Sequence, residues 1–225
     1  MGFRDILSNV GNPTAFVEYF NDFHTYLPSD WIITTTEAGT GAATEALADG
    51  LGGWLLVTND NADNDADFFQ LQNEGFSFVA GKRMYFGIRV KMVEVTQTDF
   101  IAGLVITDTT PLAHTDGIVF SSDDGSTDLD LTIAKNSSET EEAAVHTLVD
   151  DTFVKMEFYY DGRTDEDGVA TAQKLQVYID DVRVAGVVLT NVPDDEVLTV
   201  TFGMMNGEAA AHTFHVDWVR AFVER

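Results

Sequence analysis

Carboxylates are the reactive groups this sequence has in quantity: 38 Asp and Glu stand against 12 Lys and Arg, with five His and no Cys. A pair of carboxylates can cleave a glycosidic bond when both face one groove, so placement matters more than number. A Glu-x-Asp-x-x-Glu run on one strand would aim acid, base and nucleophile together, and no such run occurs. Glu139, Glu141 and Glu142 follow Asn136-Ser137-Ser138, and Asp165, Glu166 and Asp167 crowd a second turn-like stretch. Both groups read as solvated loops with no strand to aim them. The sequence therefore predicts a protein that is not an enzyme and has no catalytic residues.

Oxygen ligands at alternate positions suit calcium, which singles out the acidic ladder Asp60-Asn61-Ala62-Asp63-Asn64-Asp65-Ala66-Asp67. Asp63, Asp65 and Asp67 are its candidate ligands. An EF-hand is excluded, because Phe68 stands where that loop needs Gly for its sharp turn and Phe68-Phe69-Gln70-Leu71 reads as a strand. Between a looser calcium loop and an exposed, metal-free acidic hairpin tip, the sequence favours the tip. His212 and His215 are three apart, which on a strand sends them to opposite faces, and no third ligand is spaced to complete a zinc site. No Gly-x-Ser-x-Gly elbow, phosphate loop or dinucleotide fingerprint occurs, so no cofactor is expected. Trp31 and Trp54 flank Gly39-Thr40-Gly41-Ala42-Ala43 and are candidates for stacking on a glycan. Core or sheet-edge packing is the commoner use of such rings.

The formal charge of −26 surrounds the molecule with a negative field that repels phosphate backbones, so direct nucleic-acid binding is not expected. The acid is mostly Asp scattered through turns and reads as a solvated surface, which salt-rich surroundings would screen. A hydrophobic share of 44%, with sixteen Phe, six Tyr and three Trp, is ample for a packed interior. Without Cys there is no disulfide framework, so stability must come from that packing. The first residues lack a basic stretch followed by an apolar one, and no apolar run reaches bilayer length, so neither Sec-type export nor membrane insertion is expected.

Any site must be positioned by strands, because period-two alternation dominates the chain. Met84, Phe86, Ile88, Val90 and Met92 share one face while Tyr85, Arg89 and Lys91 share the other. The same pattern recurs in Val154/Met156/Phe158/Tyr160, Leu175/Val177/Ile179, Leu198/Val200/Phe202/Met204 and Phe214/Val216/Trp218. Further strands are expected near 16–23, 31–36, 54–58, 68–72, 100–107, 117–121 and 128–135. Asp124-Gly125, Asp161-Gly162, Asp167-Gly168 and Asp180-Asp181 supply tight turns. With no ten-residue helical pattern between strands, a parallel βαβ architecture is excluded. An all-β, antiparallel two-sheet jelly roll is expected, as one sandwich domain over residues 13–225.

Residues 1–12 form the exception. Phe3, Ile6, Leu7 and Val10 follow helical spacing before Gly11-Asn12-Pro13 stops it. Such a helix is about three turns long and marginal alone, so it either packs on its own sandwich or docks on a partner.

The run Thr213-Phe214-His215-Val216-Asp217-Trp218-Val219-Arg220 resembles the last strand of concanavalin A-like and laminarinase-like sandwiches. Leu175-Gln176-Val177-Tyr178-Ile179-Asp180-Asp181 is similar to a laminin-G-type hairpin, with Asp181 replacing its Gly, and Asp116-Gly117-Ile118-Val119-Phe120 adds to the likeness. The sequence also resembles structural proteins of tailed, marine-type bacteriophages. That likeness runs through Phe3-Arg4-Asp5-Ile6-Leu7, Asn12-Pro13-Thr14, Phe20-Asn21-Asp22-Phe23, Thr34-Thr35-Thr36-Glu37-Ala38-Gly39, Gly103 to Leu112 and Tyr159-Tyr160-Asp161-Gly162. It implies a virion component made in the host cytoplasm, a capsid decoration protein on the capsid exterior. The major capsid protein would be its partner, with further copies of itself as a second, and Phe3, Ile6, Leu7 and Val10 would be the partner-binding stripe. A lectin-like, carbohydrate-binding module on a virion or host surface is the alternative.

Overall fold

The computed structural model describes residues 12–162 and 174–225, so the amphipathic stripe Phe3, Ile6, Leu7 and Val10, the Asp165–Asp167 stretch and the Asp167-Gly168 turn lie outside the described residues. Fifteen strands are described. The first eight are β1 (Phe16–Asn21), β2 (Trp31–Thr36), β3 (Thr44–Ala48), β4 (Trp54–Thr58), β5 (Ala66–Leu71), β6 (Met84–Met92), β7 (Thr98–Val105) and β8 (Gly117–Ser122). The remainder are β9 (Asp128–Lys135), β10 (Ser138–Thr147), β11 (Val154–Tyr160), β12 (Lys174–Ile179), β13 (Val182–Val188), β14 (Thr199–Asn206) and β15 (Thr213–Glu224).

They form two antiparallel sheets. The eight-stranded sheet runs β13-β12-β11-β6-β15-β4-β3, with β1 paired to the C-terminal half of β15, and the seven-stranded sheet runs β10-β9-β8-β7-β14-β5-β2. Alternation sends Phe86, Ile88, Val90, Met156, Phe158 and Val177 of the first sheet against Phe69, Phe100, Phe120, Leu131, Val200 and Phe202 of the second, all buried in one core. Aromatic rings fill one end of it: Phe69 stacks on Phe202 at 5.2 Å, and Trp31 meets Phe202 edge-on at 5.1 Å.

Two strands were not foreseen. β10 holds Glu139, Glu141 and Glu142, which the sequence reading placed in a loop. Asn136 and Ser137 both have positive φ, 49° and 63°, the two-residue geometry that closes a hairpin between β9 and β10. β3 is exposed along most of its length, so it carries no alternation to detect.

The last strand corrects a second expectation. Its pairing with β6 slips between Val216 and Trp218, so Asp217 is an extra residue in a β-bulge. Val216 still faces the core, but Trp218 is turned to the outer face opposite Arg89, and Val219, Ala221 and Val223 take the inward positions. Phe158 is fully buried whereas Trp218 is half-buried. Phe158→Ala is accordingly expected to cost about 3–5 kcal/mol and Trp218→Ala less than about 2 kcal/mol, measured by urea unfolding; the opposite order would place Trp218 back inside the sandwich.

Candidate functional site

Burying Phe100, Phe120 and Leu131 turns their neighbours to the other side of the seven-stranded sheet. Asp99 and Ile101 on β7, Val119 and Ser121 on β8, Asp130 and Thr132 on β9, and Glu139 and Glu141 on β10 therefore share one outer face. Across the ladder Ile101 faces Ser121 and Ser121 faces Asp130, while Val119 faces Thr132 and Thr132 faces Glu141. Together with Leu112, His114, Asp123 and Met205 they line a cavity of about 280 Å³. Its floor is apolar, because Ile101 and Val119 pack with Val105, Phe68, Leu112 and Met205 in a small separate cluster. Its walls are carboxylates and hydroxyls.

Those walls are not chemically uniform. Burial pushes the Asp99 carboxyl above its ordinary value, opposed by the Asp124 amide that donates to Asp99 Oδ1 at 3.0 Å and reinforced by the charges of Asp123 and Asp124. Burial pushes His114 down, opposed by its bond to the Pro111 carbonyl and by Glu139, Asp108 and Asp116. A carbonyl only accepts, so His114 Nδ1 carries the proton and donates to Pro111 O at 3.0 Å, leaving Nε2 as an acceptor without a protein partner. Asp130 Oδ1 accepts from the Ala144 amide at 2.6 Å. A carboxyl raised by burial within a group of acids is the kind of arrangement from which acid and base roles are drawn.

The residues singled out in the sequence are distributed differently. Trp31 is only 3% exposed and lies among Tyr19, Phe23, Phe69 and Phe202, so it cannot stack on a glycan. Trp54 is half-buried on the outer face of the eight-stranded sheet, its ring against Phe153 at 5.1 Å and His215 at 5.8 Å, with Lys91 Nζ over it at 5.9 Å. The acidic ladder is not a solvated tip. Asp63 is exposed, but Asp65 and Asp67 are each 1% exposed. Asp65 accepts from the amides of Ala38 and Ala62, and its own carbonyl accepts from Asn59 Nδ2 at 3.0 Å, so it braces the β4–β5 loop and ties it to the β2–β3 loop. Among the described residues no group of three or more His, Asp or Glu is placed to hold a metal ion.

Asp99, Asp130 and His114 were missed, although the alternation of Leu129 and Leu131 already directs Asp130 outward. Glu139 and Glu141 were legible in principle from the Asn136-Ser137 turn.

No protein-family model matches the sequence, and no curated protein matches it. Solved structures share its fold. A protein of unknown function from Shewanella oneidensis MR-1 superposes with a TM-score of 0.64 at 12% identity, covering 100% of this chain and 95% of that one. An endo-1,3-β-glucanase from Streptomyces sioyaensis gives 0.63 at 12% identity, covering 95% and 98%. The carbohydrate recognition domain of Emp46p, potassium-bound, gives 0.56 at 12% identity, covering 86% and 88%. The architecture is a concanavalin A-like jelly roll. At these identities the likeness shows the fold alone, and nothing among these structures points to a virion or capsid protein.

One expectation is overturned. The reading that the chain is no enzyme rested on the lack of a carboxylate strand, yet the same fold serves glycoside hydrolase family 16 endo-glucanases, a lichenase and a glucuronan lyase. Here carboxylates from three strands, β7, β9 and β10, reach one cleft. The absence of a one-strand motif therefore does not exclude catalysis.

Asp67 supplies a test of the buried acid. Burial raises its carboxyl to about 6, against a hydrogen bond from Thr35 that lowers it and the charges of Glu45 and Glu37 that raise it. The folded state thus holds a proton that the unfolded chain releases near pH 4, so stability is full below that value and is lost as pH rises through about 6. Urea unfolding of the wild type between about pH 4 and 7 should show a decline of roughly 2–3 kcal/mol that Asp67→Asn removes. Parallel profiles for the two proteins would show that the carboxylate is hydrated.

Proposed function

We propose that this chain binds a neutral carbohydrate in the cleft over its seven-stranded sheet. The observation that carries this reading is the convergence of Asp99, Asp130, Glu139 and Glu141 with Ser121 and Thr132 around an apolar floor whose accessible part is the half-buried Leu112 and Met205, packed on Ile101 and Val119. A sugar ring presents hydroxyl donors around its edge and C–H groups on its faces. Ionised carboxylates only accept hydrogen bonds, which matches the edge; the aliphatic floor matches the face. The charge of −26 opposes uronate or sulfated chains, so the ligand carries no negative charge. The fold shared with a carbohydrate recognition domain and with glucanases is consistent with such a ligand.

Calorimetric titration with cellotetraose, laminaritetraose and mannotetraose tests the reading, with tetragalacturonate as the charged control. At least one neutral chain should bind and the uronate should not. Glu141→Gln should weaken binding about tenfold or more, the effect of losing a hydrogen bond to a charged group. Products released during the same titration, and lost on Asp99→Asn, would extend the site from binding to cleavage. Affinity unchanged by Glu141→Gln, or a preference for the uronate, would sink the proposal.

A further inference from the structure

The opposite face of the sandwich carries a second hollow whose residues have no part in the cleft. At the centre of β6 stands Gly87, paired with Glu157 of β11 on one side and Arg220 of β15 on the other. With no side chain at that position the sheet surface is notched. Tyr85 leans across the notch: its hydroxyl donates to Glu157 Oε1 at 2.8 Å, and a Cβ built on Gly87 would lie 2.2 Å from the Tyr85 oxygen. Tyr85 is itself stacked on Phe222 at 5.0 Å, which fixes its ring. The notch opens into a pocket of about 430 Å³ walled by Trp218, Phe20, Leu51, Asp22, Asp217 and Arg220, with Tyr85 and Glu157 at its base.

Four features give this pocket the character of a binding site. The bulge at Asp217 is what brings Trp218 to the outer face at all; bulges of this kind re-aim side chains. Its polar groups are held before any ligand arrives: Arg220 Nη2 is 2.7 Å from Glu18, and Arg89 pairs with Asp217. Glu157 is buried in the base, its Oε2 3.3 Å from Lys155 Nζ and without a well-directed hydrogen-bond donor. The rim is apolar and open to water, with Phe20 55% and Leu51 97% exposed.

We propose that this pocket is a second carbohydrate-binding site, which takes one or two rings of a neutral glycan with a pyranose face stacked on Trp218 and its hydroxyls bonded by Asp217, Arg220 and Asp22. The volume suits a small ligand and is too small for a docked helix or strand. An indole face is apolar enough to meet sugar C–H groups, and a flanking carboxylate and guanidinium offer acceptors and donors for the hydroxyls. Because the pocket and the cleft lie on opposite sheets, one chain could hold two segments of a glycan, or two glycans, at once. The inference rests on Trp218 and stands apart from the cleft reading.

The same neutral tetrasaccharides serve as probes, followed through the three Trp indole resonances in proton–nitrogen correlation spectra of the full chain. The Trp218 signal is identified by its loss in Trp218→Phe, and it should move on titration while that of the buried Trp31 stays still. The backbone amide signals of Asp22 and Gly52, which line the same pocket, should move with it and serve as the probe in the variants: Trp218→Ala should weaken their response at least tenfold, and Glu141→Gln should leave it in place. Trp218→Ala removes a half-exposed ring, and its unfolding curve reports whether the fold survives; if it does not, Trp218→Phe, which keeps an aromatic face, must retain measurable binding. No movement of the Trp218 resonance with any of the neutral sugars would overturn the proposal. So would concentration-dependent dimerisation that Trp218→Ala abolishes, since the patch would then be a protein interface.

Discussion

Everything on the two outer surfaces depends on the contact between the two inner ones. The sheets are held together by large side chains that point inward from alternate positions, and in an extended chain each inward residue forces its neighbour outward. Burying Phe100 turns Asp99 and Ile101 to the other face; burying Phe120 does the same for Val119 and Ser121; burying Ile88 and Phe86 turns Gly87 and Tyr85 to the outer face of their sheet. The core thereby determines which side chains are available to a ligand. With no Cys in the chain, that core and the backbone ladders carry the stability without covalent help.

Charge sets the second constraint. Most of the cations in the described residues already have acidic partners: Arg83 with Glu224, Arg89 with Asp217, Lys91 with Asp151, Lys135 with Asp194 and Asp195, Lys155 with Glu157 and Asp181, Arg220 with Glu18. Pairs this exposed contribute little to stability, but they leave little positive charge free to attract an anion. The negative field therefore disfavours anionic ligands before any contact is made, while neutral and cationic molecules approach unopposed. The same field makes each buried acid expensive. Asp65 is stabilised by two backbone amides, whereas Asp67 has one buried oxygen with no donor and its carboxyl is raised to about 6.

Much of the sandwich was legible from period-two alternation. β2, β4 and β9 have the expected bounds, and β6, β11 and β14 bury the expected faces. What escaped has a common cause: alternation is visible only where one face is apolar. β10 is an edge strand that is mostly exposed, so Glu139 and Glu141 read as loop, and β3 fails for the same reason. The bulge at Asp217 is invisible because one inserted residue leaves local composition unchanged while reversing the face of every residue after it. Asp65 and Asp67 looked solvated because composition cannot say that an acidic loop is folded under its own strands.

The legibility of the candidate site turns on a distance. Along one strand, residues that share a face are two apart and so about 7 Å from one another. Residues directly opposite on neighbouring strands have their Cβ atoms about 5 Å apart. A sheet face therefore brings side chains closer across strands than along them, and a search for carboxylates on one strand looks in the sparser direction. Ser121 and Asp130 are nine positions apart in sequence and adjacent in space, as are Thr132 and Glu141. Reading such a site in advance requires the register, and the register between β9 and β10 depends on two residues, Asn136 and Ser137, whose positive φ closes the hairpin. The chemistry of the cleft is thus specified less by its acids than by the turn that sets them opposite their partners.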